Sequence, residues 1–276
     1  MVELRSGNVD VINNVQAKDV QTAQQDPNVE LFENPYQFSC YQFMFSTKSE
    51  PFANNLKLRQ AVQYAINREA MAKVLGQGIG APMYHFLAPG YLGYDPNLPH
   101  YTFDAAQAKQ LLAEAGYPNG LEIQLSTINR SVDQQQAQIL KQMLEQVGIR
   151  ANLEVMERIA FNNKMATLDF QMATYFTTMR PDPDSILAGR FQTGEGKNYA
   201  GMSDPVMDQL LERGRSSYDD NERAAAYAEV QKRIYETAWY GTMWLRKYYD
   251  ARSKKIKNMQ PTQEPDMDFR EAWVDR

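Results

Sequence analysis

The chain has 276 residues, 43% of them hydrophobic and 23% charged, which is material for one large or two ordinary domains. Its 29 basic and 34 acidic side chains leave a net charge of −5. Apart from Lys254, Lys255 and Lys257 there is no basic stripe, so a nucleic-acid partner is not expected. A single cysteine, Cys40, excludes an internal disulfide and a thiolate metal cluster.

No apolar run approaches the roughly 20 residues that a bilayer span needs. The opening Met1-Val2-Glu3-Leu4-Arg5-Ser6-Gly7 has neither the basic nor the apolar part of a leader. A soluble polypeptide is expected, with any leader lying upstream.

In chain order, residues 1–38 are polar and fit two short strands around a helical turn, with too few apolar residues to close a core. Tyr41-Gln42-Phe43-Met44-Phe45 reads as a buried strand. A helix follows Asn54-Asn55, with Leu58, Ala61, Val62, Ala65 and Ile66 and then Ala70, Met71 and Val74 at three-to-four spacing. Gly76 and Gly78 end it, and Asn67-Arg68-Glu69 predicts a kink or two abutting helices. Residues 80–100 are rich in Gly, Pro and aromatics and read as an extended segment following the surface. A second helix spans 103–115, stopped by Gly116 with Pro118 beyond.

Residues 121–127 form a predicted strand, 133–147 an amphipathic helix closed by Gly148, and 149–156 a second strand. That is a βαβ unit with parallel strands. A helix over 159–168 and a strand over 170–176 continue the pattern. After a loop with Pro181 and Pro183, helices are predicted over 185–191, 204–215 and 221–238, then a strand over 241–245. The tail from Arg252 is polar, with Pro261 and Pro265. The fold class is α/β.

Catalytic motifs are missing. His85 and His100 lack the HExxH spacing or cysteine partners of a metal site. There is no GxSxG elbow, and Gly76-Gln77-Gly78-Ile79-Gly80 follows a helix and opens none, so it is no phosphate cradle. Asp182 and Asp184 are a carboxylate pair in a Pro-rich loop, a setting that equally suits a helix cap and a turn.

A binding reading has a better basis. Ligands of open parallel sheets sit outside the carboxyl ends of the strands. The loops there cover residues 127–133, 156–159 and 177–184. In the third, Arg180 lies between the aromatics Tyr175 and Phe176 and the acid Asp182. A guanidinium suits a ligand carboxylate, and it suits equally an internal pair with Asp182 or Asp184.

From Pro51-Phe52 and Leu58-Arg59-Gln60-Ala61-Val62-Gln63-Tyr64-Ala65-Ile66-Asn67-Arg68-Glu69 onward, the chain resembles the family 5 extracellular solute-binding proteins. These are the dipeptide, oligopeptide and nickel receptors of ABC importers. The resemblance runs through Leu87-Ala88-Pro89-Gly90, Tyr101-Thr102-Phe103-Asp104, Ala115-Gly116-Tyr117-Pro118-Asn119-Gly120, Asp182-Pro183-Asp184 and Asn198-Tyr199. It continues to Ser203-Asp204-Pro205-Val206-Met207-Asp208-Gln209-Leu210-Leu211, in order over nearly the whole chain.

The resemblance implies a periplasmic-binding-protein-like lobe, with a mixed sheet flanked by helices, that closes on a small solute and docks on a membrane permease. It assigns residues 1–40 to the end of a first lobe, 41–246 to the entire second lobe and 247–276 to a return to the first. Family members are about twice as long, so the chain is expected to be an excised domain or a fragment. It is expected to be a monomer, to need no cofactor, and to work in the periplasm or another extracytoplasmic space.

By alignment on Asp182-Pro183, the resemblance places Phe176, Thr177, Met179 and Arg180 at the ligand, and Tyr175, Asp182, Asn198 and Tyr199 complete the candidate ligand-binding set. Met179 stands where peptide receptors often carry the Asp that meets a peptide's amino terminus, and Arg180 would favour an anionic group. Two other functions compete. One is the ligand-sensing domain of a regulator with the same fold. The other is an α/β hydrolase, for which Thr177, Thr178 and Ser185 have no histidine near in sequence.

Overall fold

The computed structural model describes residues 1–261 and 267–275. Residues 262–266 of the expected return segment, Pro265 among them, and Arg276 lie outside the described residues.

The first elements are α1 (Val2–Ser6), β1 (Val11–Ile12), α2 (Ala17–Gln25) and β2 (Val29–Phe45). They are followed by α3 (Leu56–Tyr64), α4 (Arg68–Gly76), β3 (Gly80–Pro82) and α5 (Ala105–Glu114). The βαβ unit is β4 (Leu121–Ile128), α6 (Ser131–Gln146) and β5 (Ile149–Met156), and α7 (Arg158–Thr167) and β6 (Met172–Thr178) come next. Helices α8 (Asp184–Phe191), α9 (Pro205–Ser216) and α10 (Asp220–Thr237) lead into β7 (Tyr240–Ser253). The short strands β8 (Ile256–Lys257), β9 (Gln260–Pro261), β10 (Met267–Asp268) and β11 (Trp273–Val274) end the chain.

Local chemistry sets the helix starts. The Asn55 and Asn67 side chains accept from the amides of Leu58 and Ala70, so the expected break becomes two separately capped helices. Asp104, Asp204 and Asp219 cap α5, α9 and α10 in the same way, each such cap contributing about 1 kcal/mol.

Seven strands form one mixed sheet of order β1-β7-β2-β6-β4-β5, with β3 also on β7. Strands β4, β5 and β6 are parallel, as the βαβ reading requires, while β2 is antiparallel to β6 and β7 to β2. The βαβ unit closes tightly at its start. Gly120 has φ +84, and a Cβ there would lie 2.3 Å from the Gly148 carbonyl oxygen.

Period-two alternation along β2 divides the core. Tyr41, Phe43 and Phe45 join the apolar faces of α3–α6, whereas Cys40 and Met44 join those of α7–α10. Cys40 is fully buried, and burial pushes its thiol up to about 12. It should therefore resist a disulfide-exchange reagent near neutral pH in the native chain and react fully once denatured. Rapid native labelling would contradict this packing.

Three expectations are corrected. The N-terminal segment does close a small core, because Ile79 and Ala251 arrive from elsewhere to cover Leu4, Val15, Val20, Ala23 and Val29. The 80–100 segment is not a surface strip, since Met83, Phe86, Leu87 and Ala88 are buried against α10 and its neighbours. Strand β7 runs eight residues beyond the predicted Leu245, to Ser253, paired along its length with β2. Both expected domain boundaries, after residue 40 and after residue 246, thus fall inside single long strands.

Candidate functional site

The carboxyl ends of β4, β5 and β6 lie together at one end of the sheet, because these strands are parallel neighbours. Register places the two long strands there as well. Ser39 of β2 pairs with Thr178 of β6, and Cys40 pairs with Leu245 of β7. Strands β2 and β7 therefore run on, paired with each other, past the end of the sheet where the candidate loops emerge.

Phe176 is the centre of this end. The Arg130 guanidinium sits 3.9 Å above its ring and that of Arg158 5.7 Å away, while Tyr41 lies 6.0 Å away. Tyr41 in turn stacks on Trp244 at 4.2 Å with planes 1° apart, and Trp244 Nε1 donates to Gln136 Oε1 at 2.9 Å. Arg130 is held from behind: its Nη2 donates to Asp133 Oδ1 at 3.1 Å and its Nε to Oδ2. Burial alone would lower the Arg130 pKa, but the Asp133 carboxylate outweighs it and holds the guanidinium above its ordinary value. A cleft of about 400 Å³ opens beside it, lined by Lys18, Ile79, Arg130, Ser131, Trp244 and Arg246 among others.

On the other face of β6, Tyr175 stacks near Phe161 and Phe176 and lies 5.5 Å from Tyr199. Arg190 of α8 reaches under these rings, 4.4 Å from the centre of Tyr175 and 5.3 Å from that of Tyr199, and its Nη2 donates to Thr177 Oγ1 at 2.9 Å.

Of the residues expected at a ligand, Tyr175, Phe176, Thr177, Arg180 and Tyr199 gather at this end, Thr177 only 8% exposed. Three others have side chains engaged by the fold, Asp182 while staying exposed. Met179 is 2% exposed and packed in the core, because the chain turns inward after β6. Asp182 accepts from the Asp184 amide at 2.8 Å and from Arg223 Nη2 at 2.7 Å, so it starts α8 and ties it to α10. Asn198 is a buried loop bracket, donating to the Gln192 and Met202 carbonyls and accepting from the Met202 amide.

The internal-pair alternative for Arg180 fails in the same network. Asp182 is taken by Arg223 and Asp184 by Arg215, and Arg180 is exposed with no ion pair among the described residues. The sequence reading passed over Arg130, Trp244 and Arg190. Arg130 lay inside the strand-end loop 127–133, immediately before a helix, and that position was the available signal. Nothing local marks Arg190.

The two histidines lie elsewhere. Their rings are 5.2 Å apart, and His85 borders a small pocket of about 30 Å³ next to Arg68 and the start of β7. Burial, followed by the neighbouring His100, lowers the His85 pKa. Among the described residues no group of three or more His, Cys, Asp or Glu could hold a metal ion.

Residues 1–198 match the family model described as bacterial extracellular solute-binding proteins, family 5 Middle. The chain is 27% identical over 245 residues to heme-binding protein A of Haemophilus influenzae, covering 86% of this chain and 44% of that protein. It is 26% identical over 229 residues to the dipeptide-binding protein of Escherichia coli, covering 80% and 42%. The solved structure of HbpA2 from Haemophilus parasuis superposes with a TM-score of 0.90 at 27% identity, over 99% of this chain and 55% of that one. The chain spans somewhat under half the length of these curated relatives.

Proposed function

Because the chain belongs to the bacterial extracellular solute-binding proteins of family 5, we propose that it captures a peptide or peptide-like solute for delivery to the membrane permease of an ABC importer. In this reading residues 41–246 are the second lobe of a hinged pair. Residues 1–40 and 247–276 belong to the first, and solute is enclosed by closure about the two crossing strands.

The observation that carries the reading is the shared end of the sheet. The parallel strands terminate where β2 and β7 cross, so a solute resting on Phe176, Tyr175 and Arg130 lies where a second lobe would meet it. Enclosure between lobes is also what turns a modest contact surface into affinity. The relatives' names support a bound solute rather than a reaction: one is a heme-binding and another a dipeptide-binding protein. An extracytoplasmic location goes with the family. Among the described residues no helix is long and apolar enough to cross a membrane.

Amide NMR of the chain titrated with tripeptides tests this. Shifts are expected in residues 127–133, 156–159 and 175–182, and shifts confined to other regions, or none, would remove the floor from the site. Arg180→Ala is expected to weaken binding of a free-carboxylate tripeptide by about 1.5–3 kcal/mol, the contribution of one charged hydrogen bond. A carboxamide-capped peptide should lose far less. Equal losses would mean that Arg180 does not meet the carboxylate.

A further inference from the structure

Arg190 is 6% exposed, yet among the described residues it has no ion pair, and its buried Nη1 has no hydrogen-bond partner. Its guanidinium is met by the Thr177 hydroxyl and the faces of Tyr175 and Tyr199, and its field reaches the Cys40 thiol and the Tyr240 phenol. All of these are neutral groups. Ring faces offset part of the loss of hydration but supply no full negative charge. A buried cation ordinarily has a buried anion beside it. Here the guanidinium sits against the rings of Tyr175 and Tyr199 with no anion beside it among the described residues.

We propose that Arg190 is a specificity-determining residue, whose missing counter-charge is a carboxylate of the bound solute seated over Tyr175 and Tyr199. This rests on the solute-capture reading and narrows its substrate class to acidic, peptide-like molecules. Through one ring thickness, a charge in this water-poor setting gives discrimination of roughly tenfold.

The test uses the whole chain, isotope-labelled so that the Arg190 Nε–Hε signal is observed. It is titrated with acetyl-Ala-Glu-Ala-amide and acetyl-Ala-Gln-Ala-amide, and separately with acetate and acetamide at equal ionic strength. The expected result is a roughly tenfold preference for the glutamate peptide, lost in Arg190→Gln and partly kept in Arg190→Lys. A saturable Arg190 shift with acetate but not with acetamide should accompany it.

No preference in the wild-type chain, or a preference that survives Arg190→Gln, overturns the proposal. If both peptides move the floor amides equally and acetate leaves Arg190 unmoved, solute capture stands and the anion site falls. If acetate shifts Arg190 while neither peptide binds, the anion site stands and peptide capture falls. Should Arg190→Gln not fold, the lysine variant and the wild-type titrations decide the matter.

Discussion

Replacing Arg68 by methionine is expected to lower the free energy of unfolding by about 3–5 kcal/mol, because several buried neutral oxygens would each lose a charged donor. Arg68 is the first residue of α4 and only 2% exposed, and its guanidinium donates exclusively to oxygens. Nε meets the Thr242 carbonyl at 2.7 Å and Nη2 meets Gln63 Oε1 at 2.9 Å. Nη1 reaches the carbonyls of Tyr101 at 3.1 Å, Gln63 at 3.3 Å and Ile66 at 3.5 Å.

One side chain thereby fastens α3, α4, the segment before α5 and β7. Methionine would fill much of the volume and relieve the cost of holding a cation out of water, a cost visible in a guanidinium lowered to about 10 by burial. The oxygens would stay buried, however, each losing a donor at about 1–3 kcal/mol. Several such losses exceed the relief. Urea unfolding followed by circular dichroism measures the outcome, and Arg68→Lys should recover little because an ammonium lacks the planar fork. A loss below about 1 kcal/mol would mean that the network is replaceable by simple packing.

What the sequence made legible follows from how locally each feature is determined. The split between α3 and α4 needs only the Asn67 side chain and the amide three residues on. The βαβ unit needs only alternation, helical spacing and the Gly148 turn. Strand direction then follows, and with it the end of the sheet where loops converge. Illegible features depend on partners far along the chain. Asp182 is tied up by Arg223, 41 residues away, and Arg68 by Thr242, 174 residues away. Met179 reads as a loop residue until the chain is seen to turn into the core after β6. The extension of β7 was hidden because Arg246-Lys247-Tyr248-Tyr249 is only half-buried, paired on a ribbon rather than sandwiched between helices. Arg190 stands 13 residues from Thr177 on a separate helix, so no spacing rule points to it.

Truncating Trp244 to alanine should cost about 3–5 kcal/mol and disturb the floor of the site at the same time. Trp244 is 1% exposed, so the truncation opens a cavity in a well-packed layer rather than at a surface. It also leaves Gln136, fully buried and already without a partner for its Nε2, with its oxygen unpaired as well. The functional effect follows from the order of contacts. Trp244 supports Tyr41, Tyr41 borders Phe176, and Phe176 carries Arg130. Loss of the first ring lets the others settle inward, which should broaden or shift the Arg130 Nε–Hε signal although that residue is unaltered. Trp244→Phe separates the two contributions: it keeps an aromatic surface for Tyr41 and loses the hydrogen bond, so a stability cost of about 1–3 kcal/mol with the Arg130 signal nearly in place is expected. If alanine costs no more than phenylalanine, or if the Arg130 signal is identical in all three proteins, the aromatic column is not what holds the floor, and the Asp133 carboxylate alone positions Arg130.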